Sequence, residues 1–233
     1  MKCEKCKGTG FISIKNEFDE NIAHPCECRK EKDASILLET RLIDASIPRR
    51  YWGYTLDNYL SLPFSPDVKL SNKQSIERLK YFIDNPRSIE KEWQVIWLYG
   101  KEDNACHTTL AIVLATELLK LNYKVKFISI QDLLNAFTEF NEKAVYFKEI
   151  EDYNVYILDD IFDVTRSHVK GDYTKINFYN WINTAFNNDK KFICTSNIPL
   201  LQVDPIYSQI KTVLTRNYTQ LELKGSITSF LRR

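Results

Sequence analysis

The sequence predicts an α/β fold: a parallel sheet flanked by helices, with a small metal-binding module at its amino end. Two observations carry this. From Trp93 onward, WQVIWLYG, KVKFISI, NVYILDD, KKFICTSN and TQLELKG are short, apolar and rich in β-branched or aromatic residues, and helix-patterned stretches separate them. Such continuous apolar runs suit parallel strands covered on both faces. Four of the six cysteines, moreover, fall within the first 28 residues.

Taken in order, Cys3, Cys6, Cys26 and Cys28 form a C-x2-C pair and a C-x-C pair joined by a loop. Zinc takes four tetrahedral thiolate or imidazole ligands, and two close pairs supply them. Lys7-Gly8-Thr9-Gly10 gives the tight turn of a zinc knuckle, and FISI reads as a short strand. A redox C-x-x-C would leave Cys26 and Cys28 unexplained. His24 is near enough in sequence to replace one cysteine. Residues 29–45 are charged and helix-prone, with Ile36, Leu37, Leu38, Leu42 and Ile43 in a stripe near period 3.6, and Pro48 ends them. IPRRYWGYTLDNY is aromatic and irregular, SLPFSPD is a loop, and Ser71 caps a helix stopped by Pro86. Further helices are expected over TTLAIVLATELLKL, QDLLNAFTEF and residues 175–188 and 206–216. The division expected is residues 1–46 as zinc module and linker helix, and 47–233 as the α/β domain.

Composition bounds the function. At 233 residues, 44% hydrophobic and 27% charged, the chain can bury a sizeable core. Basic and acidic residues nearly balance (32 against 31), so any nucleic-acid contact must come from local patches. No apolar run approaches the roughly 18 residues of a membrane span, and MKCEKCKGTG lacks a signal-peptide stretch. The expectation is a cytoplasmic protein with no membrane partner.

Ligands of open α/β sheets sit at the carboxyl ends of the strands. Three such ends stand out: Gly100 leading through a polar loop into a helix, the Asp159-Asp160 pair, and Thr195-Ser196-Asn197. In a P-loop ATPase these would cradle phosphates, hold Mg²⁺ with the attacking water, and sense the γ-phosphate. The phosphate loop departs from G-x-x-x-x-G-K-[ST]. Counting forward from Gly100 puts Ala105, Cys106 and His107 at the second Gly, the Lys and the Ser/Thr. Counting back from Thr108-Thr109 puts Cys106, His107 and Thr108 there, with one extra loop residue. Neither register supplies the lysine. An imidazole is shorter and mostly neutral at pH 7, and losing a charged hydrogen bond costs about 1.5–3 kcal/mol. Glu102 and Asp103 add negative charge where an anion should sit, although the aspartate pair would still attract Mg²⁺ weakly.

With IPRRYWGYTLDNY, the LDD strand end, TSNIPL and the cysteine module in this order, the chain resembles the DnaC/DnaI-type replicative helicase loaders. These are AAA+ proteins related to IstB-like ATPases, and phages and mobile elements carry versions of their own. The resemblance covers most of the chain and implies an AAA+ P-loop-type sheet, with Gly100, His107, Thr108 and Thr109 at a degenerate nucleotide site and Asp159, Asp160 and Asn197 as vestigial catalytic positions. It also implies a DnaB-type helicase as partner, met through the amino-terminal region, and self-association. Two further family arginines are missing, at Ser208-Gln209-Ile210 and Gly225-Ser226-Ile227-Thr228. The pattern favours a pseudo-ATPase loader of a phage or mobile element. The rivals are a working AAA+ ATPase, as loader or transposition regulator, and an inhibitor of helicase or loader. Single-stranded DNA binders combine cations with stacking aromatics. Candidates are Arg166, Lys170 and Lys175 beside His168 and Tyr173, and the stretch Arg49, Arg50, Tyr51, Trp52 and Tyr54.

Overall fold

In the computed structural model, residues 3–101, 106–138, 151–162, 172–204 and 207–225 are described. They divide into two compact units, Met1–Asp44 and Ala45–Arg233. Ala45 and Ser46 go with the second unit: the Ala45 carbonyl accepts from Phe127 N–H at 2.7 Å, and Ser46 Oγ accepts from Lys126 Nζ.

The first unit is a hairpin of β1 (Phe11–Lys15) and β2 (Asn21–Pro25) followed by helix α1 (Glu27–Asp44). Ile14 lies directly opposite Ile22, and both are exposed, as are Phe11 and Phe18.

In the second unit, α2 (Leu56–Leu60) and α3 (Pro66–Asp84) precede the sheet. The irregular stretch expected over IPRRYWGYTLDNY holds a helix, because Thr55 and Asn58 form a reciprocal capping box that starts α2. The expected cap at Ser71 is a correction. The cap is Ser65, whose Oγ accepts from Val68 N–H, and Pro66 sits at the first helical position, where its missing N–H costs nothing. Next come β3 (Val95–Tyr99), α4 (His107–Lys120), β4 (Val125–Ser129), α5 (Ile130–Thr138), β5 (Val155–Asp159), α6 (Asp172–Asn187), β6 (Lys191–Ser196), α7 (Ser208–Leu214) and β7 (Tyr218–Glu222). The strands make one parallel sheet ordered β4-β5-β6-β3-β7, as the alternating pattern predicts.

Alternation along the strands loads the two faces. Val95, Trp97 and Tyr99 join Tyr156, Leu158, Phe192 and Cys194 in a cluster packed on α5, α6 and α7. The intervening residues Ile96, Leu98, Ile157 and Ile193 are also fully buried, on the face that α4 covers. Trp97 is satisfied by donating Nε1–H to the Ile198 carbonyl at 3.0 Å, and its ring stacks on Phe162. A sheet buried on both faces leaves its strand ends as the places where polar groups can converge.

Candidate functional site

The four amino-terminal thiols converge. Cys3, Cys6, Cys26 and Cys28 hold their sulfurs within 4.8 Å of one another, with Cys3–Cys26 at 3.8 Å and Cys6–Cys28 at 3.4 Å. A tetrahedron with metal–sulfur bonds of ~2.3 Å has edges of ~3.8 Å, so the donor set fits a metal ion, and zinc by chemistry. His24, the alternative ligand, lies outside the cluster, on β2 opposite Ile12. The knuckle turn is built by left-handed residues, Lys7, Gly8 and Gly10. This aims the Gly10 and Gly8 N–H groups at Cys6 Sγ, and those bonds hold its thiol down to about 6. Cys28 is pushed upward, first by its hydrogen bond to Cys6. A thiolate that is already stabilised favours metal binding.

At the carboxyl end of the sheet the second constellation assembles around Asp159. Leu158 pairs with Cys194 in the parallel register, which sets Asp159 level with Thr195. Asp159 Oδ1 accepts from Thr195 Oγ1 and from Thr108 Oγ1, both at 2.7 Å. Thr195 Oγ1 in turn accepts from Asp160 N–H at 2.9 Å, and the Thr195 carbonyl accepts from Ile161 N–H. These bonds hold a sharp turn in which Asp160 and Phe162 take positive φ. Burial pushes the Asp159 carboxyl above its ordinary value, opposed by the two threonine hydrogen bonds.

The contact between Thr108 and Asp159 discriminates between the two loop registers. In a P-loop the Ser/Thr and the strand-end Asp share the Mg²⁺, and here Thr108 touches that aspartate. On that register Cys106 and His107 would stand at the glycine and lysine positions. Cys106 holds φ 60° and ψ 21°, a left-handed conformation that suits glycine, and burial raises its thiol. His107 opens α4 with Nε2 3.8 Å from Asp160 Oδ1. Its Nδ1 is buried with no hydrogen-bond partner among the described residues. Thr109, one residue further, is buried in α4. Gly100 stands at the end of β3, its N–H bonded to the Ser196 carbonyl. The donor set thus fits a divalent cation at Thr108 and Asp159, which in a P-loop site neutralises developing phosphate charge. It does not fit the lysine contact to a triphosphate.

Sequence reasoning undervalued two contributors. Thr195 was visible only as part of a polar strand tip, yet it bonds Asp159 directly, while Asn197 lies partly buried just beyond β6. Tyr51, which the sequence offers as a DNA contact, has its hydroxyl pushed above its ordinary value by burial first and then by the Asp159 and Asp160 charges, against Arg50, whose guanidinium lies over its ring at 4.9 Å. The only hint was their place before the first strand. Arg49 lies similarly over Trp52. Of the other predicted DNA contacts, Arg166 and Lys170 lie outside the described residues, and Lys175 is partly buried in α6. Gln209 is exposed on α7, whereas Ser226, Ile227 and Thr228 lie outside the described residues. No helix among the described residues is long and apolar enough to cross a membrane.

Neither a protein-family model nor a curated protein matches the sequence. Solved structures do match the fold. One is a DnaC helicase loader, at TM-score 0.58 and 20% identity over 76% of this chain and 100% of that one. A DnaI structure matches at TM-score 0.54 and 18% identity, over 77% of this chain and 92% of the other. The replication initiator DnaA bound to AMPPCP and single-stranded DNA matches at TM-score 0.55 and 20% identity, over 74% of this chain. The chain spans about half the length of the replication initiators it matches, 49% and 50% for two of them. With its helix-flanked parallel sheet and the P-loop-like order of strand, loop and helix at Thr108, the chain has the AAA+ fold that these helicase loaders and initiators share.

Proposed function

We propose that this chain is a replicative helicase loader that binds a DnaB-type hexameric helicase and assists its placement on single-stranded DNA, without hydrolysing ATP itself. The observation that carries the reading is a difference of coverage. The DnaC loader structure is matched over 100% of its length, whereas the DnaA initiator structure is matched over 50%. Nearly the same share of this chain is matched in each case, 76% and 74%, so the distinction is that the loader structure has no part that this chain leaves unmatched.

The nucleotide site supports the second half of the reading. On the register that Thr108 suggests, His107 takes the place of the permanent cation that would reach the β- and γ-phosphates. Zn²⁺ bound by Cys3, Cys6, Cys26 and Cys28 would stabilise a first unit too small to hold a core unaided. That unit exposes Phe11, Ile14, Phe18, Ile22, Ile36 and Leu37, an apolar surface suited to docking on the helicase.

Native mass spectrometry of the zinc-loaded chain with a DnaB-type helicase, with and without ATP, tests the reading. The expected result is a helicase complex that forms regardless of ATP and raises helicase loading on single-stranded DNA. A complex that lowers loading would make the chain an inhibitor. The Thr108–Asp159–Thr195 contacts favour a second reading, a working ATPase. Brisk turnover abolished by Asp160→Asn would establish it.

A further inference from the structure

A hollow of about 530 Å³ lies between α2 and α3, in the size range of ligand-binding clefts, and its walls are mostly apolar. Tyr59 and Leu60 line it from α2, Phe64 from the connecting turn, and Leu70 and Ile76 from α3. Leu60 is 47% exposed and Leu70 72%, so two leucines on neighbouring helices meet water around one hollow. The chain itself arrives at this wall. After β7, Asn72 of α3 holds both backbone groups of Lys224, at 2.9 and 2.8 Å, and Asn72 also lines the hollow. The next residue, Gly225, backs onto the same wall: a Cβ there would lie 2.7 Å from Val68 Cγ1 and 3.2 Å from Phe64 Cδ1. Its φ of +91° is open to glycine and rarely to other residues, which lets the chain turn sharply there. Residues 226–233, SITSFLRR, follow. Ile227, Phe230 and Leu231 fall at i, i+3 and i+4, the spacing of an apolar anchor face.

We propose that residues 226–233 occupy this hollow as an intramolecular latch that fastens the β7 edge onto α2 and α3. Ile227, Phe230 and Leu231 enter the hollow and cover Leu60 and Leu70. Eight residues reach at most about 26 Å when extended, ample for a hollow whose wall at Phe64 already packs against Gly225. Lys73 and Glu77 pair across the lining at 3.9 Å, and Lys69 stands beside them. Arg232 and Arg233 therefore meet one carboxylate and two cations, and burial of the three apolar side chains carries the fit. A tethered segment needs little intrinsic affinity, because a short link gives an effective concentration on the order of millimolar. The latch goes beyond the loader reading, since neither helicase nor DNA takes part in it.

The test is photo-crosslinking of the zinc-loaded full chain carrying Leu70→p-benzoylphenylalanine, a change at an exposed position that spares the core. An equal mixture of ¹⁵N-labelled and unlabelled chains is irradiated, and the linked peptides are mapped by mass spectrometry. The expected result is links from position 70 to residues 226–233 in which both peptides carry the same label. Adding Ile227→Ser, Phe230→Ser and Leu231→Ser should lower the yield about ten-fold, because each large apolar side chain withdrawn weakens the association by about that factor or more. Phe18→Ser, an exposed change in the first unit, serves as the control and should leave the yield unchanged. Links between differently labelled chains would assign the hollow to a second copy and overturn the latch. Links mapped only elsewhere, no links at all, an undiminished yield in the triple variant, or an equal loss in the control would each overturn it too. No helicase is present in the experiment, so its failure is separate from failure of the loader reading.

Discussion

Thr108 and Asp159, 51 residues apart in sequence, share a 2.7 Å hydrogen bond that ties the start of α4 to the end of β5. The second threonine, Thr195, approaches the same oxygen from β6. One carboxylate therefore fastens three elements of the sheet's functional end. Asp159→Ala should cost about 2–4 kcal/mol, because it removes two charged hydrogen bonds and leaves a buried hydroxyl without its acceptor. Chemical denaturation checks this.

Asp159→Asn makes a sharper test with a sign. The amide oxygen still accepts from both threonines, while the charge that burial disfavours is gone. A carboxyl with its folded pKa raised above 3.8 destabilises the fold at neutral pH, and the penalty fades as pH falls through that raised value toward 3.8. The variant should thus match or exceed wild-type stability at pH 7, and its advantage should shrink under acid conditions. Denaturation midpoints of both proteins across pH decide the matter.

His107→Lys restores the cation at a helix start where Thr108 and Asp159 already stand in place. The expected outcome is a gain of about ten- to a hundred-fold in Mg-ATP affinity, the equivalent of one charged hydrogen bond of about 1.5–3 kcal/mol. Isothermal titration of the variant against wild type measures it. An unchanged affinity would place the defect in the loop between Gly100 and Cys106 as well.

How far the sequence could be read follows from what each residue meets. Strands β3 and β5 were legible because Val95–Tyr99 and Val155–Leu158 bury every side chain and so cannot hide among polar residues. Strand β2 was not: NIAHP is mostly exposed, and it is a strand only because β1 pairs with it. Helix α3 is capped six residues before the expected Ser71, at Ser65, because Pro66 reads as a loop residue unless it is seen at the first helical position. The four cysteines advertised their cluster by spacing alone. Thr195 and Tyr51 did not, since strand register brings the one and a distant segment the other to Asp159 and Asp160. The extra residue in the phosphate loop left two registers open, and only the contact of Thr108 with Asp159 separates them.

Removing the metal should undo the first unit and spare the second. With four thiols within 4.8 Å of one another, a metal ion bound there would offset the confinement of the sulfurs in Met1–Asp44. Chelation should abolish protection of backbone amides in β1 and β2 while those of β3 and β6 keep theirs, as hydrogen exchange would report. Cys26→Ser should reproduce the effect, its cysteine being buried at 1% exposure.

The clasp that closes the sheet's β7 edge rests on one side chain. Asn72, buried at 2% exposure on α3, donates Nδ2–H to the Lys224 carbonyl at 2.9 Å and accepts from Lys224 N–H at 2.8 Å. It is the one geometry in which an amide satisfies both backbone groups at once. Immediately after it, Gly225 has φ +91°, and a Cβ there would lie 2.7 Å from Val68 Cγ1. Asn72→Asp keeps the shape and the acceptor but loses the donor, setting a carboxylate against a carbonyl oxygen. It should therefore destabilise at least as much as Asn72→Ala, by about 2–3 kcal/mol at pH 7, and recover part of that loss when acid protonates it. Thermal midpoints of both variants at neutral and acid pH would show the crossover. If the aspartate variant proved as stable as wild type, the clasp would not be holding the edge.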